Sequence, residues 1–95
     1  MDSSLAISEA ESVFLILVRC IVDAPESVSL NTETVGLETV FHLQVAKTDL
    51  GKVIGKQGRS ARALRTLLHA TSVKHGLQYS LDIDDETNSG RQIQY

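Results

Sequence analysis

Three features of the 95-residue sequence predict a two-layer α+β domain in the order α-β-β-α-α-β, with helices on one face of a three-stranded sheet. An apolar helical run lies near the start. Stretches of alternating apolar and polar residues follow it. A Gly-x-x-Gly loop then joins a short helix to a long one ahead of a last alternating stretch. The length suits one domain, since separate cores need about 100 residues or more each. That domain is expected over residues 8–84, with residues 1–7 and 85–95 as flexible termini.

Ser8-Glu9-Ala10-Glu11 has the form of a capping box, so the first helix is expected to start at Ser8. Ala10, Phe14, Leu17, Val18 and Ile21 recur at helical spacing and form the stripe that packs on the sheet. Leu15, Ile16 and Val22 lie off that stripe, and nine of the ten residues from Val13 to Val22 are apolar. A helix apolar nearly all round is seldom left to water. Either other parts of the fold cover it or a partner subunit does, and the small amount of spare chain favours a partner. Pro25 ends the helix by removing an amide donor and restricting Ala24.

Val28 and Leu30 mark a short strand, and Asn31-Thr32-Glu33-Thr34 with Gly36 reads as the turn after it. Leu37, Thr39, Phe41, Leu43 and Val45 then alternate in a longer strand, with Glu38, His42 and Gln44 on the other face. Thr48 or Asp49 is the expected N-cap of a short helix reaching Ile54. After Gly55-Lys56-Gln57-Gly58 a long helix begins at Arg59, with Ala61, Leu64, Leu67, Leu68 and Thr71 as its buried side and Arg59, Arg62 and Arg65 beside them. Gly76 is its expected C-terminal cap. Leu77, Tyr79, Leu81 and Ile83 alternate in the last strand, and residues 87–95 are mostly polar and aperiodic.

Charge is segregated along the chain. The net charge is −3, yet residues 47–76 hold seven bases and one acid, against seven acids and one base in residues 1–46 and four acids and one base in residues 77–95. A basic segment on an acidic body is the footprint of a phosphate-binding face. With no Trp and aromatics at 4%, recognition by stacked aromatic platforms is poorly supplied.

Other classes find little support. Cys20 is the single cysteine and forms no internal disulfide, which suits a reducing, cytoplasmic setting. Met1-Asp2-Ser3-Ser4 lacks the positive start of a signal peptide, and the apolar run is about half the length a bilayer requires. His42, His69 and His75 sit in no metalloprotease pattern, and the glycine loop lacks Walker spacing, so no enzyme is expected. Asp82, Asp84, Asp85 and Glu86 lack the loop glycine and spacing of an EF-hand and read as a solvated strand end. No cofactor is implied.

A Gly-x-x-Gly loop between two helices, with Ile54 before its first glycine, is the mark of the KH domain, which clamps about four nucleotides of RNA. Over residues 8–84 the chain resembles the small stand-alone bacterial KH proteins of the KhpA type, which have the type II KH topology. The resemblance is strongest over Asp49-Leu50-Gly51-Lys52-Val53-Ile54-Gly55-Lys56-Gln57-Gly58-Arg59 and Ala63-Leu64-Arg65-Thr66-Leu67. It implies binding of RNA with little sequence preference, an RNA-chaperone or post-transcriptional role, a homodimer, and pairing with a larger Jag-type KH-containing protein. Ala61 stands where many KH domains carry a large aliphatic, which implies a shallow groove and weak base selectivity.

The expected mechanism places a phosphate oxygen on the amides of Lys56, Gln57 and Gly58 at the positive end of the long helix. Lys56 adds charge, Lys52, Arg59 and Arg62 extend the contact along the backbone, and Gly55 and Gly58 permit the close approach. Leu50, Val53, Ile54 and Leu43 or Val45 are candidates for the apolar groove beneath the bases, Val53 and Ile54 serving groove and core together. RNA against single-stranded DNA is left open by the residues. So is a second reading, in which the domain chiefly dimerises or docks on a larger RNA-binding protein and binds RNA weakly itself.

Overall fold

A computed structural model of the chain describes residues 3–85 and the pair 93–94. Its elements are α1 (Ser3–Ile21), β1 (Ser29–Val35), β2 (Glu38–Val45), α2 (Leu50–Ile54), α3 (Arg59–His75), β3 (Gln78–Asp85) and the two-residue β4 (Ile93–Gln94). The predicted α-β-β-α-α-β order is thus present, with β4 added after it. The sheet runs β1-β2-β3-β4. β1 pairs antiparallel with β2, β2 parallel with β3, and β4 antiparallel with β3. A parallel pair needs a crossover rather than a tight turn, and α2 with α3 supplies it. Together these features are those of the type II KH fold.

Alternation in β2 is read out directly. Thr39, Phe41, Leu43 and Val45 are buried under the helices, while Glu38, Val40, His42 and Gln44 face the other way. Tyr79, Leu81 and Ile83 extend this inner face across β3, and Val18, Val53, Ala61, Leu64 and Leu68 close the core from the helical side. Phe41 is its centre, with ring centroids 6.3 Å from Phe14 of α1 and 5.0 Å from Tyr79. Such tilted aromatic pairs add about 0.5–1.5 kcal/mol each beyond the area they bury.

Several boundaries differ from the sequence expectation. α1 starts at Ser3, not at Ser8, because Ala6 is buried one turn before Ala10 and carries the apolar line back toward the chain start. The buried line is Ala6, Ala10, Phe14, Val18 and Val22, spaced by four. Leu15 packs partly against the core and Val22 lies within it, so of the three residues expected off the stripe only Ile16 is exposed. Leu17 and Ile21, expected inside, stand at the margin. On α3, Ser72 is buried in place of Leu67 and Thr71, which face outward.

The polar run Asn31–Thr34 is strand rather than turn. Its register on β2 is continuous down to Val35 opposite Glu38, leaving Gly36-Leu37 as a two-residue hairpin loop. Gly36 has φ +64°, at the position where such loops favour glycine. The Thr34 and Thr39 hydroxyls lie 2.9 Å apart across the pair, and the Thr32 hydroxyl donates to Glu11 of α1. A strand stabilised by hydroxyls at the sheet edge leaves little apolar period to detect.

Gly76, left-handed at φ +66°, ends α3 as expected, with the Leu77 amide returning to the Ser72 carbonyl at 2.9 Å. Residues 85–95 are the segment expected to be flexible. Asp85 is buried as the last residue of β3, and Ile93 and Gln94 pair with Ile83 and Asp82. Residues 86–92 and 95, on which the rest of that expectation falls, lie outside the described residues, as do residues 1 and 2.

Candidate nucleic-acid interface

α2 and α3 approach each other through the Gly55–Gly58 loop, whose backbone bends in a way few side chains allow. Gly55 has φ 78° and ψ 172°, Gln57 φ 57° and ψ 26°, and Gly58 φ 73° and ψ 17°. A Cβ on Gly55 would lie 2.4 Å from Ser60 Oγ and 2.8 Å from the Ser60 amide nitrogen, so only glycine fits between α2 and the first turn of α3. Gln57 is the one non-glycine with positive φ among the described residues. A left-handed residue carrying a Cβ costs about 1–2 kcal/mol.

Three contacts hold the bend. The Gly55 amide closes α2 on the Gly51 carbonyl at 2.8 Å, and the Gly58 amide returns to the Gly55 carbonyl at 3.1 Å. The Arg62 guanidinium reaches back from α3 and donates to the Gln57 carbonyl. Of the three amides expected to face a phosphate, that of Gly58 is therefore already engaged inside the loop. Lys56 and Arg59 are exposed on either side of it, and Arg65 is half-buried one turn beyond Arg62.

Lys52 sits elsewhere. Its ammonium donates to Asp23, just after α1, and lies 3.8 Å from Asp49 Oδ1. The Asp23 contact, more than any other cause, raises the Lys52 pKa above its ordinary value. Asp49 stands at the N-cap position of α2 but does not cap it. Its carboxylate, 1% exposed, turns instead to the amides of Asp23 at 3.0 Å and Ala24 at 2.9 Å. The Asp23 amide is the main cause of a carboxyl pKa held below the usual range, and the Ala24 amide and Lys52 add to it against the opposing effect of burial.

The apolar candidates divide. Val53, Leu43 and Val45 are wholly enclosed in the core, and so is Ala61. Their side chains serve packing, and Val53, expected to serve groove and core together, has no exposed surface in this structure. Leu50 and Ile54 are half-buried and leave apolar surface beside the loop. The position of Ala61 inside the core also means that its small size does not set the depth of a groove wall.

The loop end of the helical layer carries Lys56, Arg59 and Arg62, whereas Arg65, further along α3, lines a polar cleft with Glu33, Glu38, His42 and Asp82. The outer sheet face carries Glu33, Glu38 and the buried Asp82, whose carboxylate lies 3.3 Å from His42 Nδ1. Among the described residues no three His, Cys, Asp or Glu side chains are grouped to hold a metal ion, and no helix is long and apolar enough to cross a membrane.

A second surface feature lies between α1 and α3. A shallow apolar cleft there is lined by Val13, Phe14 and Leu17 from one helix and Leu67 and Leu68 from the other. Val13 is 58% exposed, Ile16 61% and Leu67 50%. Sequence reasoning found the excess apolar character of α1 but not its extension onto α3. It also missed the strain at Gln57, since glutamine carries no signal for the left-handed region, and the inward turn of Asp49.

Comparison with known proteins agrees with this geometry. The family model described as KhpA/KhpB, KH domain, matches residues 12–83. The chain is 45% identical over 76 residues to the RNA-binding protein KhpA of Treponema pallidum, spanning 79% of this chain and 94% of the relative. It is 44% identical over 71 residues to that of Chlamydia trachomatis, spanning 74% and 90%. With that of Listeria monocytogenes it shares 41% identity over 73 residues, spanning 77% and 96%.

Proposed function

Because the chain belongs to the KhpA/KhpB KH-domain family, we propose that it binds single-stranded RNA through the Gly55–Gly58 loop. It is a binding protein and not an enzyme. The observation that carries the reading is the left-handed Gln57-Gly58 bend at the N-terminus of α3, flanked by the exposed cations Lys56 and Arg59. A phosphate oxygen is received by the Lys56 and Gln57 amides, with the positive end of α3 behind them. Lys56 and Arg59 continue the contact along the strand, and Leu50 and Ile54 offer apolar surface to the bases. Lys52, already engaged by Asp23 and Asp49, adds least. Contacts to phosphate carry no sequence information, so base selectivity is low. Such a protein acts as an RNA chaperone or post-transcriptional regulator in the cytoplasm.

The apolar α1–α3 cleft supports a further part of the reading, a homodimer formed through that face, with a larger Jag-type KH-containing protein as an alternative occupant. A domain kept mainly for such docking, with weak RNA affinity, is the competing reading.

The deciding experiment titrates a short labelled single-stranded RNA with the wild type and with the double variant Lys56→Asp/Gln57→Asp, circular dichroism checking that both are folded. The expected result is binding that weakens with salt and is lost in the variant. Absence of binding by the wild type, or equal binding by both, favours the docking module.

A further inference from the structure

Arg62 looks on sequence grounds like one more phosphate contact, but its guanidinium is turned onto the loop itself. We propose that Arg62 is a positioning residue: by holding the Gln57 carbonyl it keeps the loop in the left-handed bend that presents its amides to RNA. The proposal deepens the RNA-binding reading and rests on it.

Three observations meet at this contact. Gln57 occupies a backbone region that its Cβ disfavours, at φ 57° and ψ 26°, and Gly58 beside it is also left-handed. Ser60 leaves no room for a Cβ on Gly55, so the chain enters the bend tight against the first turn of α3. Arg62, one turn into α3, donates Nη2 to the Gln57 carbonyl. A strained conformation persists only where its surroundings over-determine it. The Gly58 amide on the Gly55 carbonyl and Arg62 on the Gln57 carbonyl do so here. A guanidinium with one nitrogen committed to a carbonyl is also poorly placed for the two-pronged grip that arginine makes on phosphate.

The test compares the wild type, Arg62→Met, Gln57→Gly and the double variant, titrating labelled oligouridine across a range of KCl concentrations. Arg62→Met is expected to weaken binding about tenfold, with a salt dependence parallel to that of the wild type. In that background Gln57→Gly is expected to restore most of the affinity, because glycine takes the left-handed bend with no side chain to hold in place. A direct phosphate contact gives the opposite pattern. The log–log salt slope then falls by about 0.7 and Gln57→Gly restores nothing, which overturns the proposal.

A measurement without RNA separates the two layers of the argument. Amide hydrogen exchange at Gly58, whose amide is bonded to the Gly55 carbonyl inside the bend, followed by NMR, is expected to quicken in Arg62→Met. If the wild type binds no RNA, the RNA-binding reading falls while this exchange still decides whether the brace exists. Unchanged exchange overturns it. Arg62 is exposed, so its replacement leaves the core intact.

Discussion

The carboxylate of Asp49 accepts the backbone amide of Ala24 at 2.9 Å, across a separation of 25 residues. The neighbouring Asp23 amide reaches the other carboxylate oxygen at 3.0 Å. Both donors lie just past the end of α1, and the acceptor begins α2. One side chain thus fixes the start of the short helix, and through it the loop, against the end of the long apolar one. Its burial is tolerable because both oxygens are bonded.

This clasp gives stability a dependence on acid. The folded-state pKa of Asp49 is lowered, first by the Asp23 amide, so the contribution is fully present above the unfolded carboxylate pKa of about 4 and is lost as pH falls through the folded value. Urea midpoints of the wild type are expected to drop below that point. Asp49→Asn is expected to be less stable at pH 7 and to show a flatter profile. A variant whose midpoint follows pH as steeply as the wild type would remove Asp49 as the source.

Lys52 and Lys56 are expected to part company. Lys52 is tied to Asp23 and Asp49, whereas Lys56 is exposed on the loop. Lys56→Met is expected to lower the salt slope of RNA binding by about 0.7, and Lys52→Met to leave it unchanged while lowering the urea midpoint slightly. Equal loss of slope from both would return Lys52 to the phosphate-contact set.

Glycine positions differ in what they forbid. A Cβ at Gly36 meets open space, so Gly36→Ala is expected to cost only the backbone penalty of about 1–2 kcal/mol. At Gly55 the same positive φ is joined by overlap with Ser60, so Gly55→Ala is expected to cost about 3 kcal/mol or more and to abolish RNA binding even where the protein still folds. Chemical denaturation of the two variants measures the difference. Equal losses would mean that the loop yields around Ser60.

Much of the fold was legible because its signals are local and periodic. Thr39, Phe41, Leu43 and Val45 alternate, Gly76 stops α3, and the paired glycines announce the loop. What was not legible depends on partners distant in sequence. Asn31–Thr34 reads as a turn until β2 is beside it, and Asp49 reads as a cap until α1 ends next to it. The helical stripe of α1 was displaced because burial follows the surface it meets. Ala6 and Val22, at its two ends, find the core, whereas Leu17 and Ile21 lie toward the outer face. At the site, charge and glycine spacing located the loop, but spacing alone does not say which cation is taken up by the protein's own oxygens, as Lys52 and Arg62 are.

The outer face between α1 and α3 yields the remaining prediction. Val13 and Leu67 are each at least half exposed in the single chain, and they rim a cleft whose floor is Phe14 and Leu68; Ile16 is exposed on the same helix as Val13. Apolar surface continuous across two helices is seldom left to water on a monomer this small. A second copy related by a two-fold axis would set the same residues against themselves. Val13→Glu and Leu67→Glu then place like charges across such an interface while leaving each protomer's core untouched, because neither side chain is part of it. Sedimentation velocity is expected to show a dimer for the wild type and monomers for both variants, with helical circular dichroism retained and RNA affinity per protomer reduced through lost avidity rather than lost contacts. A wild type that sediments as a monomer at every concentration would leave the face to a different protein, and the variants would then be expected to sediment identically to it.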